Sequence, residues 1–139
     1  MHHIAISVRD LGASLAFYAG FGLEKEAQRE LWADELTLTV LAGPHGRLEL
    51  FSSGRPVMAS DQMGSLRTDL HQIGAKHFAL QVPDLASEIE RLRAAGTEVE
   101  GDVASSGLGF DYVFVRDPSG NWIELVEVKS CGRETSPAV

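Results

Sequence analysis

The chain has a single cysteine in 139 residues, Cys131, so no internal disulfide can staple it and the fold must rest on a packed core. Positive charge is short as well: 12 Lys and Arg stand against 20 Asp and Glu, for a formal net charge of −8. Nucleic acid and anionic membrane surfaces both demand an excess of Lys and Arg, so neither is an expected partner and small molecules remain. No apolar run approaches the ~18 residues that a membrane span needs, and no basic-then-apolar leader precedes the first strand pattern, so a cytoplasmic protein is expected. Aromatic residues are few, with two tryptophans, Trp32 and Trp122, which counts against a pocket built mainly from stacked rings. The length suits one domain or two small subdomains sharing a core.

What the chain does have is a repeat. His3-Ile4-Ala5-Ile6-Ser7-Val8-Arg9-Asp10-Leu11 returns as His77-Phe78-Ala79-Leu80-Gln81-Val82-Pro83-Asp84-Leu85, displaced by 74 residues from position 3 to position 77. Leu48-Glu49-Leu50 returns as Ile123-Glu124-Leu125, displaced by 75 from position 49 to position 124. A unit of this size is marginal as an independent fold, so each copy is expected to need a partner, from the same chain or another.

Within each copy the periodicity predicts βαβββ. Ile4, Ile6 and Val8 alternate with His3, Ala5 and Ser7, the pattern of a half-buried strand. Asp10 stands at a helix N-cap and Gly20 and Gly22 end that helix. Strands are predicted at 23–29, 36–42 and 47–52, the last two separated by Gly43-Pro44-His45-Gly46. Residues 54–74, rich in Gly, Ser, Met and Asp, read as a linker between module one (1–53) and module two (75–128), which together form one domain, 1–128. In module two, a strand at 77–82, a helix capped by Asp84, a short strand at 97–99, a turn at 105–109, and strands at 110–115 and 121–128 repeat the order. Asp117-Pro118-Ser119-Gly120 marks the last hairpin, and 129–139 is a tail. The fold class is therefore α+β, two βαβββ modules with curved mixed sheets forming an open trough.

Strand parity sets where the repeated His and Glu point. His3 and His77 lie opposite the aliphatic layers of their strands, and Glu49 and Glu124 each sit between two aliphatic residues, so all four project from the face that no helix covers. Two imidazoles and two carboxylates supply four donors for a divalent metal, which leaves positions open for substrate oxygens in octahedral coordination. His2 falls on the other parity and is expected to stay out of the set. His45 lies in a turn, His71 lies in the linker where a lid over the trough is conceivable, and Glu88, Glu90, Arg91 and Arg93 form the solvated face of the second helix.

On these residues, together with Phe17-Tyr18 and the run from Asp117 through Asn121, the chain resembles the vicinal oxygen chelate superfamily, which includes glyoxalase I, extradiol dioxygenases, methylmalonyl-CoA epimerase, fosfomycin-resistance enzymes and bleomycin-resistance proteins. The resemblance implies paired modules around one divalent metal per site (Ni, Zn, Co, Mn or Fe), with His3, Glu49, His77 and Glu124 as ligands. That set is most similar to bacterial glyoxalase I. Ser7 and Ser53 stand where that enzyme carries an arginine and an asparagine serving glutathione, and Ala5 where fosfomycin enzymes carry threonine, so neither substrate is expected.

The resulting expectation is a metal-dependent lyase or isomerase. A small molecule with vicinal oxygens would pass through an enediolate, with Glu124 as first choice of base and Glu49 as second. Phe110, Tyr112 and Phe114 share one strand face and are candidates to line the pocket. The alternatives are a non-heme Fe(II) dioxygenase, for which Glu49 is one anionic ligand too many, and a drug or natural-product binding protein. Exposed sheet edges predict a homodimer.

Overall fold

Two four-stranded mixed sheets carry the chain, one from each repeat, and each supports one helix. The computed structural model describes residues 1–32, 35–57, 70 and 73–129. His71, Cys131 and the tail from 130 lie outside the described residues.

Module one runs β1 (Ile4–Val8), α1 (Leu11–Ala19), β2 (Glu24–Leu31), β3 (Leu36–Gly43) and β4 (Gly46–Ser53). Its sheet has the order β1-β4-β3-β2, with β1 parallel to β4 and the other pairs antiparallel. Module two runs β5 (Phe78–Gln81), α2 (Leu85–Ala94), β6 (Val99–Ser105), β7 (Phe110–Arg116) and β8 (Trp122–Val128), in the matching order β5-β8-β7-β6. The α+β architecture of two βαβββ units is thus present, and no helix of the described residues covers the open face of either sheet.

The local chemistry explains the elements. The Asp10 carboxylate accepts from the Ala13 amide and that of Asp84 from the Ser87 amide, so both helices start at capping aspartates. Val8, Leu41, Leu48 and Leu50 point under the first sheet and Leu80, Val113, Val115, Ile123 and Leu125 under the second, where the two layers join one core with Tyr18, Leu85, Ile89 and Leu92. Gly43 allows β3 to pass Gly22, whose carbonyl oxygen would lie 2.2 Å from any Cβ placed there.

One strand differs from expectation. Only 97–99 was expected to be extended before the turn, whereas β6 covers Val99–Ser105. Its sequence, Val-Glu-Gly-Asp-Val-Ala-Ser, lacks alternation because the register with β7 shifts between Glu100 and Ala104, and Gly101 takes φ 72° there. An edge strand with a bulge buries too little to show a period of two.

A buried latch joins the modules. Asp117, in the turn between β7 and β8, accepts on Oδ1 from the amides of Ser119 and Asn121 and on Oδ2 from the Tyr18 hydroxyl of α1, all at 2.9 Å. The Asn121 side-chain nitrogen Nδ2 donates to Asp117 Oδ2 at 2.9 Å and to the Ser7 carbonyl at 3.2 Å, and the Arg9 backbone amide donates to Ser119 Oγ at 2.9 Å. Burial, and then the adjacent Asp117 carboxylate, push the Tyr18 hydroxyl far above the ordinary phenol range, so it stays protonated and donating. Arg91 of α2, exposed as expected, lays its guanidinium over the Phe21 ring at 5.3 Å from the centroid while pairing with Glu88. The seam therefore runs along α1, the end of β1, the β7–β8 turn and α2.

Candidate metal centre

The register places the carboxylates on the open faces. Across the first sheet Ala5, Glu49, Val40 and Ala27 stand in one row, and across the second Ala79, Glu124, Phe114 and Glu100 do the same. His3 and His77 occupy the positions just before β1 and β5.

Each histidine meets the glutamate of its own module. His3 Nε2 lies 3.6 Å from Glu49 Oε2, and His77 Nε2 lies 3.3 Å from Glu124 Oε2. Side-chain exposures are 40% and 20% in the first pair and 26% and 15% in the second, so all four can be reached from solvent. Donors about 2.0–2.2 Å from a zinc-like ion are separated by about 3.0–3.5 Å when they occupy neighbouring coordination positions. By donor type and separation each pair fits two such positions, the second within that range and the first just beyond it. The two pairs do not come together in one chain: among the described residues no group of three or more His, Cys, Asp or Glu side chains is close enough to hold an ion.

The pairs are held differently. His3 Nδ1 is 2.9 Å from His2 Nδ1 and the two rings meet edge to face, which leaves His3 Nε2 directed at Glu49. Strand parity did not reveal this contact, because β1 begins at Ile4 and the alternation does not extend back to His2. His77 instead packs edge-on against Phe114, with ring centroids 4.9 Å apart. From there a chain of edge contacts leads along the open face through Tyr112 to Phe110, and on the other side to Trp122, whose ring carries the Arg116 guanidinium at 3.7 Å. Trp122 shares the parity of Glu124 two residues on, and that was the signal in the sequence that could have placed it on this face. His45 is exposed in its turn, away from both pairs.

A profile of the Glyoxalase/Bleomycin resistance protein/Dioxygenase superfamily matches residues 1–125. The chain belongs to this superfamily. YaeR, an uncharacterized protein of Escherichia coli K12, is 29% identical over 133 residues, covering 91% of this chain and 95% of that protein. The trypanothione-dependent glyoxalase I of Leishmania major superposes with a TM-score of 0.70 at 27% identity, over 91% of this chain and 85% of that one. A glyoxalase family protein from Bacillus cereus reaches a TM-score of 0.76 over 93% of both chains, and at 22% identity it supports the fold alone. The superfamily unites metal-dependent enzymes with members named for drug resistance, so the reaction has to be argued from the residues.

Proposed function

We propose that the protein is a divalent-metal-dependent lyase or isomerase for a small molecule with vicinal oxygens, and that each site combines His3 and Glu49 of one copy with His77 and Glu124 of a second. The observation carrying this reading is the pair of half-sites. Each has one imidazole and one carboxylate at coordination spacing on an open sheet face, yet the latch holds the modules so that the four donors stay apart within one chain. A two-fold dimer that faces the first sheet of each copy with the second sheet of the other would complete two equivalent sites.

When bound, a divalent cation supplies Lewis acidity that polarises carbonyl oxygens and acidifies the neighbouring C–H. The chain's own part is to hold and move the proton. His3 and His77 would offer Nε2 lone pairs, and in the His2 contact His3 Nε2 is free when His3 Nδ1 carries the proton and donates to His2 Nδ1. Glu124, the less exposed carboxylate, stands opposite Phe114 and beside His77, in position to take a proton from carbon and return it to the adjacent one. Glu49 is the second acid–base group. Phe114, Tyr112 and Phe110 line the same open face beside the Glu124 carboxylate.

The test is metal content followed by proton exchange. Protein purified without chelator should carry nickel, cobalt or zinc, and should exchange a carbon-bound proton of a 2-hydroxycarbonyl compound into D₂O. Glu49→Gln should keep the fold and much of the metal affinity, yet lower turnover by ~10²-fold or more, the scale of lost acid–base assistance. Iron with O₂ consumption would favour a dioxygenase. No exchange and no O₂ uptake with any of Zn, Ni, Co, Mn or Fe(II), together with tight ligand binding by the metal-free protein, would make it a sequestering protein.

A further inference from the structure

The open face of the first sheet continues past the His3–Glu49 pair, and its character changes there. One row beyond Glu49 stand Ser7, Phe51, Leu38 and Arg29, and one row further Ser53, Leu36 and Leu31. At ~3.3 Å per residue these rows lie about 7 and 13 Å from Glu49 along the strands. A cavity of about 590 Å³ opens at that end, lined by Trp32, Glu35, Leu36, Ser53, Gly54 and Arg55. A smaller one of about 160 Å³ shares Leu36, Ser53 and Arg55 with it and reaches Phe51 and Ser7.

Three observations give this end a ligand chemistry. In a chain with 20 acidic and 12 basic residues, the described residues at this end include Arg29 and Arg55 beside the carboxylate of Glu35. Among the described residues no hydrogen bond or ion pair engages either guanidinium; Arg55 uses only its backbone amide, which donates to Ser53 Oγ at 3.0 Å. At the β2–β3 tip, Trp32 takes φ 50°, in the left-handed region where a bulky residue is strained, and keeps its side chain 76% exposed at the cavity rim. Glycine or asparagine would serve that backbone conformation without strain.

We infer that the trough takes an organic anion, whose apolar body lies over Phe51, Leu38 and Leu36 beneath Trp32 and whose carboxylate or phosphate is held by Arg29 and Arg55. The oxygenated head of the same molecule reaches the His3–Glu49 pair, and in that respect the inference rests on the function proposed above.

The test uses the zinc-loaded full-length protein and two probes matched except in charge: 3-(3,4-dihydroxyphenyl)propionate, with vicinal oxygens at one end and a carboxylate at the other, and its methyl ester. Calorimetry should show the acid binding about tenfold or more tighter than the ester, the scale of a charge-assisted arginine contact. Arg29→Gln combined with Arg55→Gln should abolish that preference while leaving the ester unchanged. Trp32→Gly, which relieves the backbone, should raise the melting temperature and weaken both probes. Equal affinity of acid and ester in the parent protein, including no binding of either, overturns the inference, as does a preference that survives the double substitution or probe affinities untouched by Trp32→Gly. A preference for the acid that depends on neither zinc nor His3 would uphold the anion site and remove the metal reading.

Discussion

The two half-sites share a pattern and differ in what surrounds it. The His77–Glu124 pair is closer, at 3.3 Å, less exposed, and braced by Phe114 within an aromatic ladder on its own sheet. The His3–Glu49 pair, at 3.6 Å, is more open, and His2 meets the far side of its imidazole. At the repeat position of His2 the second module has Lys76, and opposite Glu49 the first module has Val40 where the second has Phe114. Repetition preserved the backbone geometry that aims each donor, and left the support of each donor to its neighbours. The second half is an aromatic wall, and the first is an open floor leading to Arg29, Arg55 and Trp32.

This contrast can be broken from either side. His2→Ala should have the largest effect: with the partner of His3 Nδ1 gone, metal affinity should fall by about tenfold, at the lower end of what lost outer partners cost. Titration with zinc in a competing chelator measures it, and unchanged affinity would show that the His2 contact does not orient His3. Phe114→Leu should weaken zinc binding less, by a few-fold, since an edge-on aromatic pair contributes about 0.5–1.5 kcal/mol. If it proved the more damaging of the two, the ring contact on His77 and not the His2 contact on His3 would be the stronger support. Tyr18→Phe acts on the latch alone. Asp117 Oδ2 keeps the Asn121 amide as a donor, so the loss should be about 1 kcal/mol of stability by denaturant unfolding.

Much of this arrangement was legible in the residues. Strands whose one face is buried alternate, so Ile4, Ile6 and Val8 showed the direction of the sheet, and Leu48-Glu49-Leu50 and Ile123-Glu124-Leu125 showed where the carboxylates go. Asp10 and Asp84 announced the helices for an equally local reason. What stayed hidden was non-local or aperiodic. The bulged edge strand β6 carries no alternation, His2 lies outside the strand it precedes, and the latch between Tyr18 and Asp117 spans 99 residues. Asp117-Pro118-Ser119-Gly120 could be read as a turn, but nothing in its sequence says that its carboxylate is the anchor for a helix in the other module. For the same reason the His and Glu positions could be read without knowing that the two pairs would stay apart within one chain.

Complementation between two inactive variants tests that last point most directly. His3→Ala and His77→Ala should each lose high-affinity zinc binding as homodimers, because every site then lacks one imidazole. Unfolded together and refolded as an equal mixture, half of the dimers would contain one chain of each kind. In each mixed dimer one site would keep both histidines and the other neither. Sites shared between copies therefore predict recovery of about a quarter of the high-affinity zinc sites of the parent protein. Recovery of none, with mixed dimers present, would contradict the account and place all four ligands of a site within a single chain.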